Sequence, residues 1–490
     1  MEAILSLDIG TTSMRGVLFS LTGEVISLSQ KHTSPVFLPD GRVEQEPECW
    51  KQALYDIFEE IASGNTARII GVSVTAFRSP VFPITVEGVP LAPAIMWQDR
   101  RTDTLCESLK EHEDRVFRKS GLKITSVFSG VKMMWYKQNR PDLRDRTEKL
   151  IGVQEYIIYL LTGEFVTDHS LASRTNLFNL ETLSWDDELL EIFGIEREEL
   201  CRLVPPGAVC GPLTSPMKEL LGSEESIPVI SAGGDQQCAS LGLGLIHEGD
   251  LVVNTGTGSY VLAYSDKPII DSERRIFCNV GAIPGTYIIE ASTLASGTIY
   301  RWLSEELYDE IPGGESLFKR IDREILESVI GSHGVIHLPH LTGRGAPYWN
   351  SDAKGVFYGI SLATKRGDLA RSVLEAIAIE ISENIDLIEA MNDPVDRVSI
   401  AGGMTKFDLF NQIQADTYDK QVIHHENQEA TAVGAWISAA VTLGIYDSYQ
   451  KAFATYCGDS STTVYTPEEA STWLYQELKK EKQRLYTALN

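Results

Sequence analysis

Two segments of this chain, half its length apart, repeat one design, and that repeat limits the folds open to it. ILSLDIGTTSMRGVLFS (4–20) reads as an apolar strand, a Gly-Thr-Thr-Ser turn and a second strand, and LTGEV (21–25) turns onto a third. GDLVVNTGTGSYVLAYSDKP (249–268) follows the same plan: apolar strand, Thr-Gly-Thr-Gly turn, apolar strand, polar turn. Aligning Gly10 with Gly256 gives an offset of 246 residues in a chain of 490. Such a repeat points to a duplicated architecture, two related α/β domains with facing turns. The boundary is expected near Gly244–Asp250, giving domains 1–245 and 246–490, although length alone would allow about three.

Other segments fit an α/β reading. ARIIGVSVTAF (67–77) and RVSIAGG (397–403) look like strands. Helical periodicity appears around 104–119, 131–138, 153–163 and 369–391, and EATAVGAWISAAVTLG (429–444) reads as a buried, small-residue helix. Gly/Pro punctuation at 205–212 and 312–314 marks loops, and the Lys/Glu-mixed tail at 468–482 reads as a solvated helix face.

The turns carry chemistry. Asp8-Ile-Gly-Thr-Thr-Ser13 sets a carboxylate at a strand end, followed by backbone N–H groups and threonine hydroxyls. That grouping suits a Mg²⁺-bound polyphosphate, with the acid on the metal or its waters and the amides on phosphate oxygens. Gly256-Thr257-Gly258 offers a similar cradle without the acid. Competing phosphate motifs are missing: there is no G-x-x-x-x-G-K-[ST], no G-x-G-x-x-G, and no kinase set around H-R-D and D-F-G. A nucleotide here would therefore use paired hairpin turns. In SAGGDQQCAS (231–240) Asp235 reads both as a helix N-cap and as a reactive carboxylate placed beside two glycines.

Charge narrows the partners. A formal net charge of −26 argues against a nucleic-acid binder and makes any anionic ligand depend on backbone N–H groups and a cation. The opening MEAILSLDIG has no basic n-region, so no signal peptide is expected, and no apolar run is long enough to cross a bilayer. Seven dispersed cysteines without a C-x-x-C pair suggest reduced thiols in a cytoplasmic protein.

DIGTTSMRGVLF, WQDRRT (97–102), GGDQQ (233–237), NTGTGSY, GRGAPYWNSDAKGVFYGI (343–360), AGGMTKFD and EATAVGA occur in that order, and nearly the whole chain thereby resembles the FGGY carbohydrate kinases. The best-known members phosphorylate glycerol, xylulose, ribulose and gluconate. The resemblance implies duplicated ribonuclease H-like domains, the fold shared with actin, Hsp70 and hexokinase, with Mg-ATP bound in an interdomain cleft. It implies Asp8 near Mg²⁺, with Thr11, Thr12 and Ser13 around the terminal phosphates and Arg15 near the transferred one. Gly256 and Thr257 would take the other side of the phosphate chain. Gly402, Gly403 and Met404 would line the adenosine pocket, with Gly297 nearby. Asp235 would be the general base that takes the substrate hydroxyl proton. Many relatives are homodimers, and no interface is legible in this sequence.

The motifs match glycerol kinases best, and the polyol pocket is where the match breaks. Such kinases read their substrate with an Arg-Glu pair, a Trp, a Tyr and the Asp-Gln of the base motif. TAFRSP (75–80) keeps Arg78 but has Ser79 where the glutamate belongs, and SVFSGVK (126–132) has Val127 where the tyrosine belongs. Trp97, Asp235 and Gln236 remain. Both replacements are smaller and remove polar partners of a triol, so the expected substrate is a four- to six-carbon ketose or polyol such as xylulose, ribulose or erythritol. The alternatives are a glycerol kinase, or an ATPase or sensor on the actin-like fold. A base beside Arg78 and Trp97 favours the kinase.

Some conspicuous residues read as structural. His333, His337 and His340 lie in a segment that alternates like a strand, which would send neighbouring histidines to opposite faces. His424 and His425 read as strand-end or loop residues, and Tyr348 and Trp349 as packing. DRRTD (99–103) is either a surface patch or a brace behind Trp97.

Overall fold

The computed structural model describes residues 1–64, 66–308, 317–426, 429–458 and 462–490. The loop expected at 312–314 lies outside them. The chain forms two compact units. The first comprises Met1–Ile246, Ser265–Ile288 and Asn427–Ser460; the second comprises His247–Tyr264, Ile289–Glu426 and Ser461–Asn490.

The sheet of the first unit uses β1 (Glu2–Ile9), β2 (Ser13–Ser20), β3 (Val25–His32), β4 (Arg68–Ala76), β5 (Val209–Pro212) and β6 (Pro228–Gly234). Their order is β3-β2-β1-β4-β6-β5, with β1, β4 and β6 parallel and β2, β3 and β5 antiparallel to their neighbours. The near-continuous apolar run of β1 follows from burial on both faces. Leu5, Leu7 and Ile9 share a core with Trp50, Leu54, Ile57 and Phe58 of the helix Pro47–Gly64. Ile4 shares another with Val433, Trp436 and Ile437 of the helix Ala430–Thr442.

The second unit builds its sheet from β7 (Asp250–Thr255), β8 (Ser259–Ser265), β9 (Tyr287–Thr293), β10 (Arg397–Ala401), β11 (Gln421–His425) and β12 (Thr462–Tyr465). The order β9-β8-β7-β10-β11-β12 matches the six strands of the first sheet, and a seventh strand, Phe277–Val280, extends this sheet beyond β9. In both, a hairpin joins the first two strands, the first strand runs parallel to a later one, and an antiparallel strand follows at the end. The repeat legible around Gly10 and Gly256 is thus a repeat of whole sheets.

Several local expectations are corrected. The stretch 104–119 is not one helix but Asp103–Ser108, a 3-10 turn Lys110–His112 and Glu113–Ser120. The segment 205–212 is not all loop, because Val209–Pro212 closes the sheet edge, where a proline's missing N–H does no harm. Helix Glu469–Leu489 has the solvated residues expected at 468–482 and also buries Tyr475, Lys482 and Tyr486. The three histidines have separate protein partners: His333 Nδ1 and His340 Nε2 lie 2.7 and 2.6 Å from Asp368 and Glu380, and His337 Nδ1 lies 3.0 Å from the Val356 carbonyl. His337 is buried in the short strand Ile336–Leu338, and burial pushes its pKa down to about 4. His424 and His425 end β11. All seven cysteines are free. Among the described residues no helix is long and apolar enough to cross a membrane.

Candidate active site

In an open, largely parallel sheet, ligands gather where the strands end at their carboxyl edges. Register places three functional side chains at that edge of the first unit. Asp8 of β1 pairs with Thr75 of β4, and Gly234 of β6 pairs with Ala76. Asp8, Arg78 and Asp235 therefore leave adjacent strand ends.

Asp235 is the first residue of the helix Asp235–Gly242, and Gly234 is the N-cap, so the expectation that Asp235 itself caps is corrected by one residue. Its Oδ1 accepts the Gln236 N–H at 2.7 Å and lies 3.8 Å from Arg78 Nε. Gly233 adopts φ +123°, a backbone state that glycine alone takes readily. A side chain at Gly234 would stand 3.1 Å from the Arg78 stem. It would also stand 2.7 Å from Gln237 Oε1, so this glycine makes room for both side chains. Gln236 Oε1 is buried with no hydrogen-bond partner among the described residues, an acceptor left for a donor from outside the protein.

Behind Asp235 stands a polar network without a motif of its own. The Gly234 N–H donates to Ser170 Oγ at 3.0 Å, and the Ser170 hydroxyl donates to Asp168. Asp168 is wholly buried and also accepts from Gln154 Nε2 at 2.8 Å and Ser231 Oγ at 2.6 Å. It caps the short helix His169–Ala172. A buried carboxylate satisfied on several sides fixes the turn that leads into Asp235.

The first glycine turn is closed by the Gly10 N–H on the Ser13 carbonyl at 2.8 Å, which leaves Thr11 and Thr12 at its tip. Thr12 is exposed, and Thr11 Oγ1 accepts from Trp97 Nε1 at 3.3 Å. Arg15, opposite Asp8 in the β1–β2 register, pairs with Glu429 at 3.0 Å. Burial, the negative charges of Asp235 and Glu429, and too little relief from Arg15 push the Asp8 pKa up to about 7. An excess of carboxylates over arginines invites a cation. Among the described residues no set of three or more His, Cys, Asp or Glu is arranged to hold a metal. A divalent ion here would draw its other ligands from phosphate and water, which is how Mg²⁺ commonly binds.

The backbone carbonyls of Ser79 and Val127 converge on one amine. Ser79 is buried with φ +71°, and Val127 is exposed in the turn before the helix Ser129–Asn139. Lys132 Nζ donates to both of their carbonyls, at 2.8 and 2.6 Å. DRRTD is divided: Arg100 and Asp103 pair on the surface at 3.0 Å, while Asp99 and Arg101 turn inward. Asp99 is buried, accepts the Val43 N–H at 2.6 Å and pairs with Arg101 at 2.7 Å, and Arg101 reaches Glu44 at 2.7 Å.

The second unit gathers its own set. Gly256 and Thr257 sit exposed between β7 and β8. Their carbonyls accept the N–H groups of Gly297 and Ser296 at 2.9 and 2.8 Å. Gly297 opens the helix Gly297–Leu307, and a Cβ there would stand 2.4 Å from the Gly256 oxygen. Gly402 adopts φ +100°, and a Cβ would stand 2.4 Å from the Thr255 oxygen. Gly402 and Gly403 are exposed, while Met404 is buried. The structure thus brings Gly256, Thr257, Gly297, Gly402, Gly403 and Met404 around the ends of β7 and β10. Beneath the turn the buried Ser296 hydroxyl bonds those of Ser259 and Thr293, and the Ser259 N–H donates to Thr293 Oγ1 at 3.1 Å.

Sequence reasoning missed Asp168, Ser170, Lys132 and the partnership of Glu429 with Arg15. Lys132 closes the quoted segment SVFSGVK and Glu429 opens the quoted motif EATAVGA, and the latter motif has a second use. A Cβ at Gly434 would stand 1.9 Å from the Cys238 carbonyl, so this glycine lets the helix Ala430–Thr442 lie against the helix that carries Asp235.

Residues 3–242 match the FGGY family of carbohydrate kinases, N-terminal domain, and residues 251–443 match its C-terminal domain. A glycerol kinase of Thermococcus gammatolerans is 35% identical over 460 residues, covering 91% of this chain and 90% of the relative. A gluconokinase of Bacillus subtilis is 31% identical over 489 residues, covering 97% and 94%. The solved gluconate kinase from Lactobacillus acidophilus shares the fold at a TM-score of 0.92 and 24% identity, over 100% of this chain and 98% of that one. With both halves matched and its duplicated sheets shared, this chain belongs to the FGGY family of carbohydrate kinases and is an enzyme of that class.

Proposed function

We propose that this kinase transfers the terminal phosphate of ATP to a hydroxyl of a four- to six-carbon ketose or polyol, such as xylulose, ribulose or erythritol. One observation carries the substrate reading. Ser79 and Val127 adjoin each other where a glycerol kinase would present a carboxylate and a phenol, and Arg78, Trp97, Asp235 and Gln236 remain. A three-carbon triol would lose two polar partners there, and a longer chain would gain room.

In this reading Asp235 accepts the proton of the attacking hydroxyl as its oxygen bonds to phosphorus and the bond to the ADP oxygen breaks. Arg78 orients that carboxylate and the sugar. Gln236 Oε1 accepts a second substrate hydroxyl, which satisfies its buried oxygen. Thr11, Thr12, Ser13 and Arg15 bind terminal phosphates, and the turn at Gly256 and Thr257 offers phosphate-binding groups of its own. Gly402, Gly403 and Met404 form the adenosine platform, with Gly297 closing its edge. Asp8 holds Mg²⁺, which when bound neutralises phosphate charge. Free thiols support a cytoplasmic setting.

The test is an ATP-dependent assay over glycerol, erythritol, both xyluloses, both ribuloses, gluconate and a linear dione polyol. Turnover is expected to be highest on a member with four to six carbons. Robust phosphorylation of glycerol at low millimolar concentration would overturn the substrate reading. ATP hydrolysis indifferent to every sugar would overturn the role of Asp235 as well.

A further inference from the structure

Lys132 is wholly buried, one turn into the helix Ser129–Asn139, and no carboxylate is hydrogen-bonded to its amine among the described residues. Burying an ammonium is costly, and an apolar side chain of similar length would commonly stabilise the fold as well or better. What this lysine does hold is specific: the backbone carbonyls of Ser79 and Val127, at 2.8 and 2.6 Å. Ser79 lies in the left-handed region at φ +71°, a state that persists in a non-glycine residue only where the surroundings impose it. Burial pushes the Lys132 pKa down to about 7 against the pull of Asp99. A neutral amine carries two N–H bonds, and two carbonyls are there to receive them. Asp99 belongs to the segment that follows Trp97 and is itself tied to Arg101 and the Val43 N–H. Lys132 therefore ties the backbone at Ser79 to the backbone at Val127, with the Asp99 charge close enough to act on it.

We propose that Lys132 is a positioning residue for substrate selectivity, which locks the turns bearing Ser79 and Val127 in one register through their carbonyls. The proposal rests on the reading of those two residues as lining the sugar pocket.

Both layers can be tested together in the full-length enzyme with the best two sugars of the panel. Lys132→Met and Lys132→Gln are expected to raise sugar KM by about tenfold or more and to shrink the preference between the two sugars, while ATP KM stays within about twofold. A fall in Tm and active fraction with sugar KM and preference unchanged would reduce Lys132 to a packing residue and overturn the proposal. Ser79→Glu and Val127→Tyr, run in parallel, interrogate the pocket itself. If neither moves sugar KM or preference, the pocket reading fails; if both move them and the Lys132 variants do not, only the lysine's role fails. Should the Lys132 variants not fold, hydrogen exchange on the unaltered enzyme decides. Peptides covering 77–80 and 125–132 should gain protection together when sugar is added, and protection of one without the other would overturn the clamp.

Discussion

At the scale of single residues, the proposed base is held more firmly than its motif discloses. Asp235 enters a helix at its first position, takes its neighbour's N–H at 2.7 Å and sits 3.8 Å from Arg78, while Ser170 and Asp168 fix the peptide before it. Asn in place of Asp235 keeps the shape and one acceptor oxygen but cannot take a proton. Asp235→Asn is therefore expected to cut kcat by at least about a hundredfold, the lower end for loss of a general base. Nucleotide affinity, measured by titration, should stay close to that of the parent, and near-parental turnover would remove Asp235 from the base role. Asp235, Arg78 and Gln236 were legible because they sit inside compact motifs. Asp168, Ser170 and Lys132 were not: Ser170 and Lys132 reach backbone atoms distant in sequence, which leave no residue-type signature, and Asp168 gathers side chains from segments 14 and 63 residues away.

At the scale of elements, strands were easier to read than helices. The apolar runs at 4–9 and 250–255 are buried on both faces and kept their length, and the hairpin turns fell at their glycines. Amphipathic periodicity at 104–119 marked apolar positions correctly but could not show that the backbone breaks at Leu109. EATAVGA was legible as a buried helix, yet the reason for its glycine lies in a partner nearly two hundred residues earlier. That contact supplies an element-scale test. Gly434→Ala introduces a methyl 1.9 Å from the Cys238 carbonyl, and the helix carrying Asp235 must shift or the pair must separate. Overpacking of this kind costs about 1–3 kcal/mol. A displaced base should lower kcat more than it raises ATP KM. Thermal unfolding with steady-state kinetics checks both parts; an unchanged Tm and kcat would show that the two helices are not fixed against each other as described.

At the scale of the whole molecule, sequence order and spatial order part company. The duplication is a fact of sequence and of sheet order, but the first unit is completed by Ser265–Ile288 and Asn427–Ser460, far along the chain. A periodicity argument finds related segments; it has no access to which distant helix covers which sheet face. Here Ala430–Thr442 covers one face of the first sheet: Trp436 Nε1 donates to the Ser20 carbonyl at 3.1 Å, and Ser73 Oγ donates to the Ala435 carbonyl at 2.7 Å. Ile4, Val17, Phe19 and Ile230 are fully buried in the core that this helix completes. Each such side chain contributes about 1.5–3 kcal/mol through burial, so uncovering four of them removes about 6 kcal/mol or more. Whole domains are stable by only about 5–15 kcal/mol. A fragment ending at residue 245 is accordingly expected to lack a cooperative urea transition and to bind hydrophobic dyes, whereas residues 1–288 joined by a flexible linker to 427–460 should regain one. Near-ultraviolet circular dichroism across a urea series distinguishes the two. Cooperative unfolding of the short fragment would mean that its sheet closes without the distant helix, and the strand-end site built on that sheet would then be complete within the first half alone.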